Sequence, residues 1–255
     1  MDEDVPVTWW EIALLFVAGI GGGLTGSIAG LASVSTYPAL LMVGLPPVTA
    51  NVTNTVALVF NGVGSVRGSL PELTGQGPRL RRLIPMGALG GLAGAVLLLS
   101  IPDDGFEDAV PVLLAAASVA IVAPKGRDGA RPLSRARRIT QAVVIGLICV
   151  YGGFFGAAAG LLMLAVFTRT EMVTFAEANA TKNVVLGVAN GVAAVVFTVA
   201  ASVHWPAVAV MGAGCLIGAR LGPIVVRHAP ATPLRLAVSL AGLALAVKLG
   251  FDTYA

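Results

Sequence analysis

Charged residues are scarce in this chain of 255 residues. Asp, Glu, Lys and Arg make up only 11% of it, whereas a soluble domain carries roughly 25%. Hydrophobic residues reach 56%, and the mean hydropathy is +0.89. So few charges cannot cover a water-facing surface, which excludes a soluble enzyme and a disordered chain. The composition predicts an all-α protein that crosses a membrane several times.

Cysteine and histidine are rare as well. Cys149 and Cys215 both lie in apolar stretches, where free buried thiols are more common than a disulfide. His204 and His228 fall at the edges of predicted loops and join no cluster with the spacing of metal ligands. We therefore expect no metal, no cofactor and no enzymatic activity.

Aromatic residues are few, but glycine is abundant, with 32 residues. Small residues let apolar helices approach closely, as helices packed in a membrane do. The net charge of +3 comes from basic residues that flank apolar segments. This arrangement predicts orientation in the bilayer and not binding to nucleic acid. The basic run 124–138 either binds anionic lipid headgroups or serves orientation alone, and both explain it equally well.

Six apolar segments are close to the length of about 20 residues that a membrane-spanning helix needs. They are residues 48–66, 83–101, 108–123, 173–200, 206–226 and 233–250. Two other apolar stretches, residues 11–45 and 139–167, are interrupted by glycine clusters at 21–23 and 152–153. Because glycine inside a helix favours breaks, each of these stretches is predicted to be a broken, hairpin-like segment.

The two halves of the chain resemble each other in four places that follow the same order. These places pair residues 22–30 with 152–160, 50–54 with 178–182, 61–63 with 190–192 and 86–88 with 211–213. We therefore predict a duplication. The first transmembrane repeat covers residues 1–123, a basic cytoplasmic linker covers 124–138, and the second transmembrane repeat covers 139–255.

Charge placement distinguishes two topologies. If each broken stretch crosses the membrane once, the chain has eight spans, and Arg227 lies on the opposite side from the basic loop 67–82. If each stretch is a re-entrant hairpin, most Lys and Arg residues face one side, as the positive-inside rule favours. In that model each half is a glycine-broken hairpin plus three transmembrane helices, and the two repeats are inverted. The eight-span model remains the alternative.

Polar residues follow each glycine-broken stretch at matching positions. They are Asn51, Thr53 and Asn54 in the first half and Asn179, Thr181 and Lys182 in the second. A lysine deep in the membrane costs about 2.5–3.5 kcal/mol, which suggests a function. We predict an anion site between the repeats, in which Lys182 supplies charge while the amides and hydroxyls donate hydrogen bonds. The alternative is that these groups only join helices, with Lys182 either paired to Glu177 or extended to the membrane interface.

Further candidates surround this group. Asn61 and Asn190 lie two to three turns further along the same helices and suit either substrate contact or helix packing. Arg220 either reaches the substrate or extends to the membrane interface, and Glu177 is a candidate carrier of a coupling proton. Glycines at the broken helix ends could expose backbone N–H groups to an anion. Those glycines are Gly22, Gly23, Gly26, Gly152, Gly153 and Gly156.

Several strings in the chain resemble one known family. Tyr37-Pro38-Ala39-Leu40-Leu41, Gly44-Leu45-Pro46-Pro47 and Ala50-Asn51-Val52-Thr53-Asn54 resemble the first half of the sulfite exporter TauE/SafE family. Gly218-Ala219-Arg220-Leu221-Gly222 resembles its second half. The resemblance implies a multi-pass permease of the bacterial inner membrane that moves sulfite, sulfonates or related sulfur-containing anions.

The residues and the resemblance together predict a secondary transporter, and more specifically an exporter, of a small sulfur-containing anion. It would work by alternating access, with a proton or another ion as a candidate coupling partner. The alternatives are a passive channel for small anions and a membrane scaffold without a substrate path.

Overall fold

The computed structural model describes residues 8–101, 135–170 and 174–228, together with positions 240 and 247. All regular structure within these residues is helical. The helices are α1 Trp9–Ala29, α2 Ala32–Met42, α3 Pro47–Gly68, α4 Leu70–Leu73, α5 Gly77–Ser100, α6 Arg135–Phe154, α7 Ala159–Thr170, α8 Phe175–Ala200 and α9 Trp205–His228. The predicted spans at 108–123 and 233–250 and most of the basic linker lie outside the described residues.

Four of these helices, α1, α5, α8 and α9, are long and apolar enough to cross a membrane. Their outer faces carry exposed apolar side chains such as Leu89, Val195 and Val199, whereas their inner faces are rich in glycine. A water-soluble helix would turn such large apolar side chains inward. The all-helical architecture predicted from composition is confirmed, and it includes several helices of membrane-spanning length.

The first glycine-rich stretch is a helical hairpin whose break differs from the predicted one. Helix α1 continues through Gly21–Gly23 and ends at Ala29. Gly30 then adopts a left-handed conformation with φ of +76°, and its backbone N–H donates to the carbonyl of Gly26 at 2.7 Å. Only this one glycine is required by the turn, because other residues rarely adopt that conformation.

Helix α2 runs back along α1. Gly22 faces Thr36 and Gly26 faces Ala32, so the residue numbers of the two helices change in opposite directions along their contact. A methyl group at Gly22 would overlap the Thr36 side chain. The predicted glycine cluster therefore serves the close packing of α1 on its neighbours, and it does not break the helix.

The second glycine-rich stretch forms a similar hairpin from α6 and α7. Helix α6 includes Gly152 and Gly153, and the turn that follows contains positive φ angles at Gly156 (+72°) and Ala158 (+63°). The hydroxyl of Tyr151 donates to the carbonyl of Ala157 at 2.7 Å and ties this turn to α6. In both hairpins the break follows the predicted glycine cluster.

Helices α1, α3 and α9 pack side by side and run parallel. Gly19 of α1 lies against the backbone of Met211 in α9, and Gly23 lies against that of Ala219. Helix α3 packs in the same direction on another face of α9. Together with α2, these three helices form what we call bundle A.

Helices α5, α6 and α8 form a second parallel group. Gly90 of α5 lies against Cys149 of α6, and Gly94 lies against Gly153. Helix α8 packs in the same direction on another face of α5. Together with α7, these three helices form what we call bundle B.

The two bundles do not coincide with the two halves of the sequence. Bundle A takes α1, α2 and α3 from the first half and α9 from the second, whereas bundle B takes α6, α7 and α8 from the second half and α5 from the first. Each half therefore contributes one long helix to the bundle built mainly by the other half.

Bundles A and B run in opposite directions where they meet. Helix α3 crosses α8 with Gly62 against Gly187, and the side chain of Asn183 donates to the hydroxyl of Ser69 at 3.4 Å. The two hairpin turns also meet, because the backbone of Gly30 touches that of Gly160. This contact between hairpin turns marks the centre of the interface between the bundles.

An ion pair joins α9 to α4 at one end of bundle A. Arg227, in the last turn of α9, pairs with Glu72 of α4 (Nη2 to Oε2, 3.0 Å) and also donates to the carbonyl of Gly68 at 2.6 Å. The guanidinium of Arg227 holds the pKa of the Glu72 carboxyl below its usual value. Trp9 and Trp205, which begin α1 and α9, lie at the opposite end of the bundle.

Candidate functional site

A cavity lies between bundles A and B, beside the contact of the two hairpin turns. Its volume, counted as the space open to the centres of water molecules, is about 40 Å³. Small residues and amide side chains dominate its walls, which come from α1, α2, α3, α6, α7 and α8. The lining residues are Gly26, Gly30, Ala32, Ser33, Leu58, Asn61, Gly62, Ser65, Gly152, Gly156, Ala159, Lys182, Asn183, Leu186, Gly187 and Asn190.

Part of the site predicted from sequence lines this cavity. These residues are Gly26, Asn61, Gly152, Gly156, Lys182 and Asn190. Asn61 and Asn190, for which helix packing and substrate contact were equally expected, both line the cavity and lie on helices from different bundles, α3 and α8. The cavity therefore draws polar groups from both halves of the chain.

Lys182 is the one charged residue among those that line the cavity. Its side chain is 1% exposed and crosses from α8 to the carbonyl end of α1. There the ammonium Nζ donates to the carbonyl of Gly26 at 2.9 Å and to that of Ser27 at 3.3 Å. The carbonyl end of a helix carries partial negative charge, so this position stabilises an ammonium.

Glu177 is not the partner of Lys182. Its carboxylate accepts hydrogen bonds from the backbone N–H and the hydroxyl of Thr174, both at 2.8 Å, and so caps the start of α8. The sequence alternative in which Glu177 neutralises Lys182 is wrong, because the carboxylate caps α8 at Thr174 and the ammonium bonds to the carbonyls of Gly26 and Ser27.

Asn51 and Asn179 make reciprocal bonds between the bundles. The amide nitrogen of Asn51 on α3 donates to the carbonyl of Phe154, the last residue of α6, at 2.9 Å. The amide nitrogen of Asn179 on α8 donates to the carbonyl of Ser27, near the end of α1, at 2.9 Å. Each asparagine therefore holds the hairpin of the other half by its carbonyl end, and neither lines the cavity.

The other predicted polar residues of this group hold neighbouring elements. The hydroxyl of Thr53 accepts from the backbone N–H of His204, just before α9, at 3.1 Å. The hydroxyl of Thr181 accepts from Arg79, in the first turn of α5, at 3.1 Å. Asn54 donates to the hydroxyl of Ser33 at 3.0 Å. These three side chains bond to neighbouring elements and do not line the cavity.

Several buried amide oxygens have no hydrogen-bond partner within the described part of the chain. They are the Oδ1 atoms of Asn51, Asn54, Asn61 and Asn179. A buried polar atom without a partner costs roughly 1–3 kcal/mol, so such atoms are uncommon and concentrate at functional positions. The four atoms lie beside the ends of the two hairpins.

The remaining predicted residues lie elsewhere. Gly22 packs on α2, Gly23 on α9, and Gly153 on Gly91 of α5, so their backbones are used for helix contacts. Arg220 lies on the exposed face of α9 and does not line the cavity. The three glycines fit the packing alternative, and the exposed Arg220 fits the alternative in which its side chain extends to the membrane interface.

Three polar lining residues escaped the sequence prediction, and they are Ser33, Ser65 and Asn183. Asn183 follows Lys182 directly and donates to the carbonyl of Ser27 at 3.3 Å. Ser33 begins the polar run after Gly30, which the sequence marked only as a helix break. Consecutive polar residues at membrane depth were the signal for Asn183, since one helix turn can present both side chains to the same neighbour.

Comparison with known proteins gives consistent matches along almost the whole chain. The family model described as "Sulfite exporter TauE/SafE" matches residues 13–249. A "Probable membrane transporter protein" from Haemophilus influenzae is 27% identical over 245 residues, which cover 94% of this chain and 95% of that protein.

Two further relatives carry similar names. "Probable membrane transporter protein ORF9" from a Sinorhizobium species is 29% identical over 250 residues, covering 94% of this chain and 93% of that protein. "Probable membrane transporter protein YfcA" from Escherichia coli K12 is 24% identical over 248 residues, covering 95% and 91%. No solved structure matches the chain significantly.

Proposed function

The chain belongs to the sulfite exporter TauE/SafE family, a family of multi-pass membrane transporters, and from that premise we propose that it exports a small sulfur-containing anion, sulfite or an organosulfonate, across the bacterial inner membrane. The anion binds in the cavity between bundles A and B. The observation that carries this proposal is the single buried ammonium of Lys182 in a cavity otherwise lined by neutral groups.

The chemistry of the cavity suits a small oxyanion. An ammonium group has three N–H donors, and Lys182 uses two of them on the carbonyls of Gly26 and Ser27. One donor is left for a ligand, and the amides of Asn61, Asn183 and Asn190 lie around the same space. A charged hydrogen bond in a site shielded from water is worth more than a neutral one.

Reciprocal contacts support the duplication and its inversion. Asn51 and Asn179, at matching sequence positions, bind the carbonyl ends of α6 and α1 respectively. Helices α5 and α9, which are matched by the Met-Gly-Ala strings, are exchanged between bundles that run in opposite directions. These relations fit two inverted repeats, each contributing one re-entrant hairpin, whose turns meet at Gly30 and Gly160.

The ion pair of Arg227 with Glu72 supports the same topology. The eight-span arrangement puts Arg227 on the opposite side of the membrane from the loop 67–82, but the two residues are in contact. We infer that this end of the molecule, with its basic loop, faces the cytoplasm.

Alternating access follows from the way the bundles meet. The bonds of Asn51, Asn179 and Lys182 all cross from one bundle to the other, and they bind only hairpin ends. We infer that bundles A and B tilt against each other about the cavity and that their hairpins open to one side at a time. The moving bodies are then the mixed bundles and not the two sequence repeats.

Replacement of Lys182 tests the site. Lys182→Met keeps the length of the side chain and removes the charge, so we expect sulfite affinity of the purified protein to fall roughly ten- to hundredfold, as loss of a charged hydrogen bond predicts. Isothermal titration with sulfite and with methanesulfonate measures it. Arg220→Met, which removes an exposed cation outside the cavity, is the matched control and should bind as the unaltered protein does.

Equal binding by Lys182→Met and the unaltered protein would overturn the site. Uptake into proteoliposomes separates a transporter from a channel, because alternating access makes the flux saturate at the concentration that saturates binding. A flux that stays linear well beyond that concentration would assign a channel.

A further inference from the structure

Among the described residues that line the cavity, the only large apolar side chains are two leucines at matching positions of the two halves. Leu58 follows Asn51 by seven residues, and Leu186 follows Asn179 by seven. Seven residues are close to two helical turns, so each leucine lies on the same face of its helix as that asparagine. Leu58 belongs to α3 of bundle A and Leu186 to α8 of bundle B, so each bundle contributes one leucine to the cavity.

Leu186 lies beside the buried lysine. It follows Lys182 by four residues, so the two side chains are neighbours on one face of α8. Both pack over Gly160, where an added Cβ atom would lie 3.2 Å from Cδ1 of Leu186 and 3.1 Å from Cδ of Lys182. The other methyl group of Leu186, Cδ2, lies 3.4 Å from the position of a Cβ atom added at Gly152. Leu186 therefore fills the space that two glycines of the α6–α7 hairpin leave open next to Lys182.

The space that these side chains leave is small. A cavity of about 40 Å³ on this measure has room for about three water molecules, since one water needs about 10–15 Å³. A sulfite ion, with four non-hydrogen atoms, is close to that size. An organosulfonate adds at least one carbon atom, and each further carbon needs space that the packed walls do not offer. Shortening Leu58 or Leu186 would enlarge the cavity without removing a polar group from it.

We propose that Leu58 and Leu186 are specificity-determining residues that limit the ligand to a compact oxyanion of about four or five non-hydrogen atoms. This inference rests on the proposed function, because it takes the cavity beside Lys182 as the anion site. Of the ligands proposed there, it selects sulfite and the smallest sulfonate and excludes organosulfonates with a longer chain. The limit is set by one leucine from each bundle, so either leucine alone should be able to relax it.

The test is a series of sulfonates that differ only in chain length, with sulfite as the compact reference. Isothermal titration of the purified, full-length protein with methanesulfonate, ethanesulfonate and propanesulfonate measures the affinities. We expect the affinity to fall about tenfold or more from methanesulfonate to ethanesulfonate, as overpacking of a closed site predicts. In Leu58→Ala and in Leu186→Ala the fall should move to a longer chain, because the lost carbon atoms make room for added methylene groups.

Two further variants sharpen the test. Leu162→Ala is the matched control, because Leu162 is partly buried against the same apolar cluster as Leu186 but does not line the cavity. It should keep the chain-length limit of the unaltered protein. Gly152→Ala works in the opposite direction: its added methyl group would lie 3.4 Å from Leu186 and 3.7 Å from Ala159, so it fits without overlap and narrows the cavity. This variant should bind methanesulfonate about tenfold more weakly, with a smaller loss for sulfite.

The outcomes separate the size limit from the proposed function. Equal affinity of the unaltered protein for sulfite and for every sulfonate would overturn the size limit and keep the proposed function. An affinity that rises with chain length and that Leu186→Ala lowers would also overturn it, because the leucines would then hold the carbon chain. Failure of sulfite and all sulfonates to bind would overturn the proposed function itself. If the leucine variants do not fold, the series on the unaltered protein and on Gly152→Ala still decides.

Discussion

Two glycine residues from distant parts of the chain form the contact at the centre of the molecule. Gly30 and Gly160 touch through their backbones, so neither position has room for a side chain. Gly30 also has the left-handed φ of +76°. Gly30 therefore combines a left-handed backbone with a close backbone contact. The hairpin turns can meet only because Gly30 and Gly160 both lack a Cβ atom.

Gly30→Ala should therefore destabilise the folded protein more than the same substitution at another left-handed glycine. We expect a loss of roughly 2–5 kcal/mol in the free energy of unfolding, from left-handed strain and overpacking together. Gly44 has φ of +86° with no heavy atom near an added methyl group, so Gly44→Ala isolates the strain, about 1–2 kcal/mol. Chemical denaturation in detergent compares the two variants; equal losses would show that the contact with Gly160 contributes nothing.

At the same scale, the sequence predicted the region of the site better than the role of each residue. Lys182 was recognisable because a lysine at membrane depth is costly. Asn51 and Asn179 were predicted as ligands, but they bind carbonyls of the opposite hairpin. A helix end without a capping group must bond to another part of the protein, and the sequence does not identify which amide reaches it.

At the scale of helices, segment lengths were predictable and the positions of the breaks were not. Residues 48–66 and 206–226 correspond closely to α3 and α9. Glycine clusters at 21–23 and 152–153 were predicted as breaks, yet both lie inside helices. Glycine in an apolar helix has two uses, turns and close packing, and the pattern of one segment does not distinguish them.

Helix packing through glycine gives a second prediction at this scale. A methyl group at Gly218 of α9 would overlap the backbone of Ile20 in α1, so Gly218→Ala should destabilise the protein by roughly 1–3 kcal/mol. Gly191 of α8 has no heavy atom near an added methyl group, and Gly191→Ala should stabilise it by about 0.5–1 kcal/mol. In thermal unfolding, the melting temperature should fall for Gly218→Ala and rise for Gly191→Ala. A change in the same direction for both variants would contradict the packing argument.

For the whole molecule, the exchange of α5 and α9 between the bundles could not be predicted from the sequence. Composition indicated a bundle of membrane helices, but the long helices share exposed apolar side chains outside and close glycine contacts inside. Such helices can pair in several ways, and only the summed fit of all contacts selects one. The two bundles therefore differ in composition from the two sequence repeats.

A reversible link between the bundles tests their relative motion. Ser69 follows α3 in bundle A and its hydroxyl accepts from Asn183 of bundle B at 3.4 Å, so Ser69→Cys with Asn183→Cys should allow a disulfide. We expect oxidation to stop sulfite uptake and reduction to restore it, whereas each single variant should be insensitive. The buried thiols Cys149 and Cys215 stay in place. Full uptake by completely oxidised protein would exclude motion at this point.

The pairing of α1 with α9 also has a consequence for biosynthesis. Helix α1 ends at residue 29 and its partner begins at residue 205. At a translation rate of about 5–20 residues per second, roughly 9–35 s pass between the synthesis of the two helices. During that time the glycine face of α1 has lipid, the insertion machinery or a temporary neighbour against it. Ribosomal pausing upstream of residue 205 would lengthen this exposure and lower the yield of assembled protein.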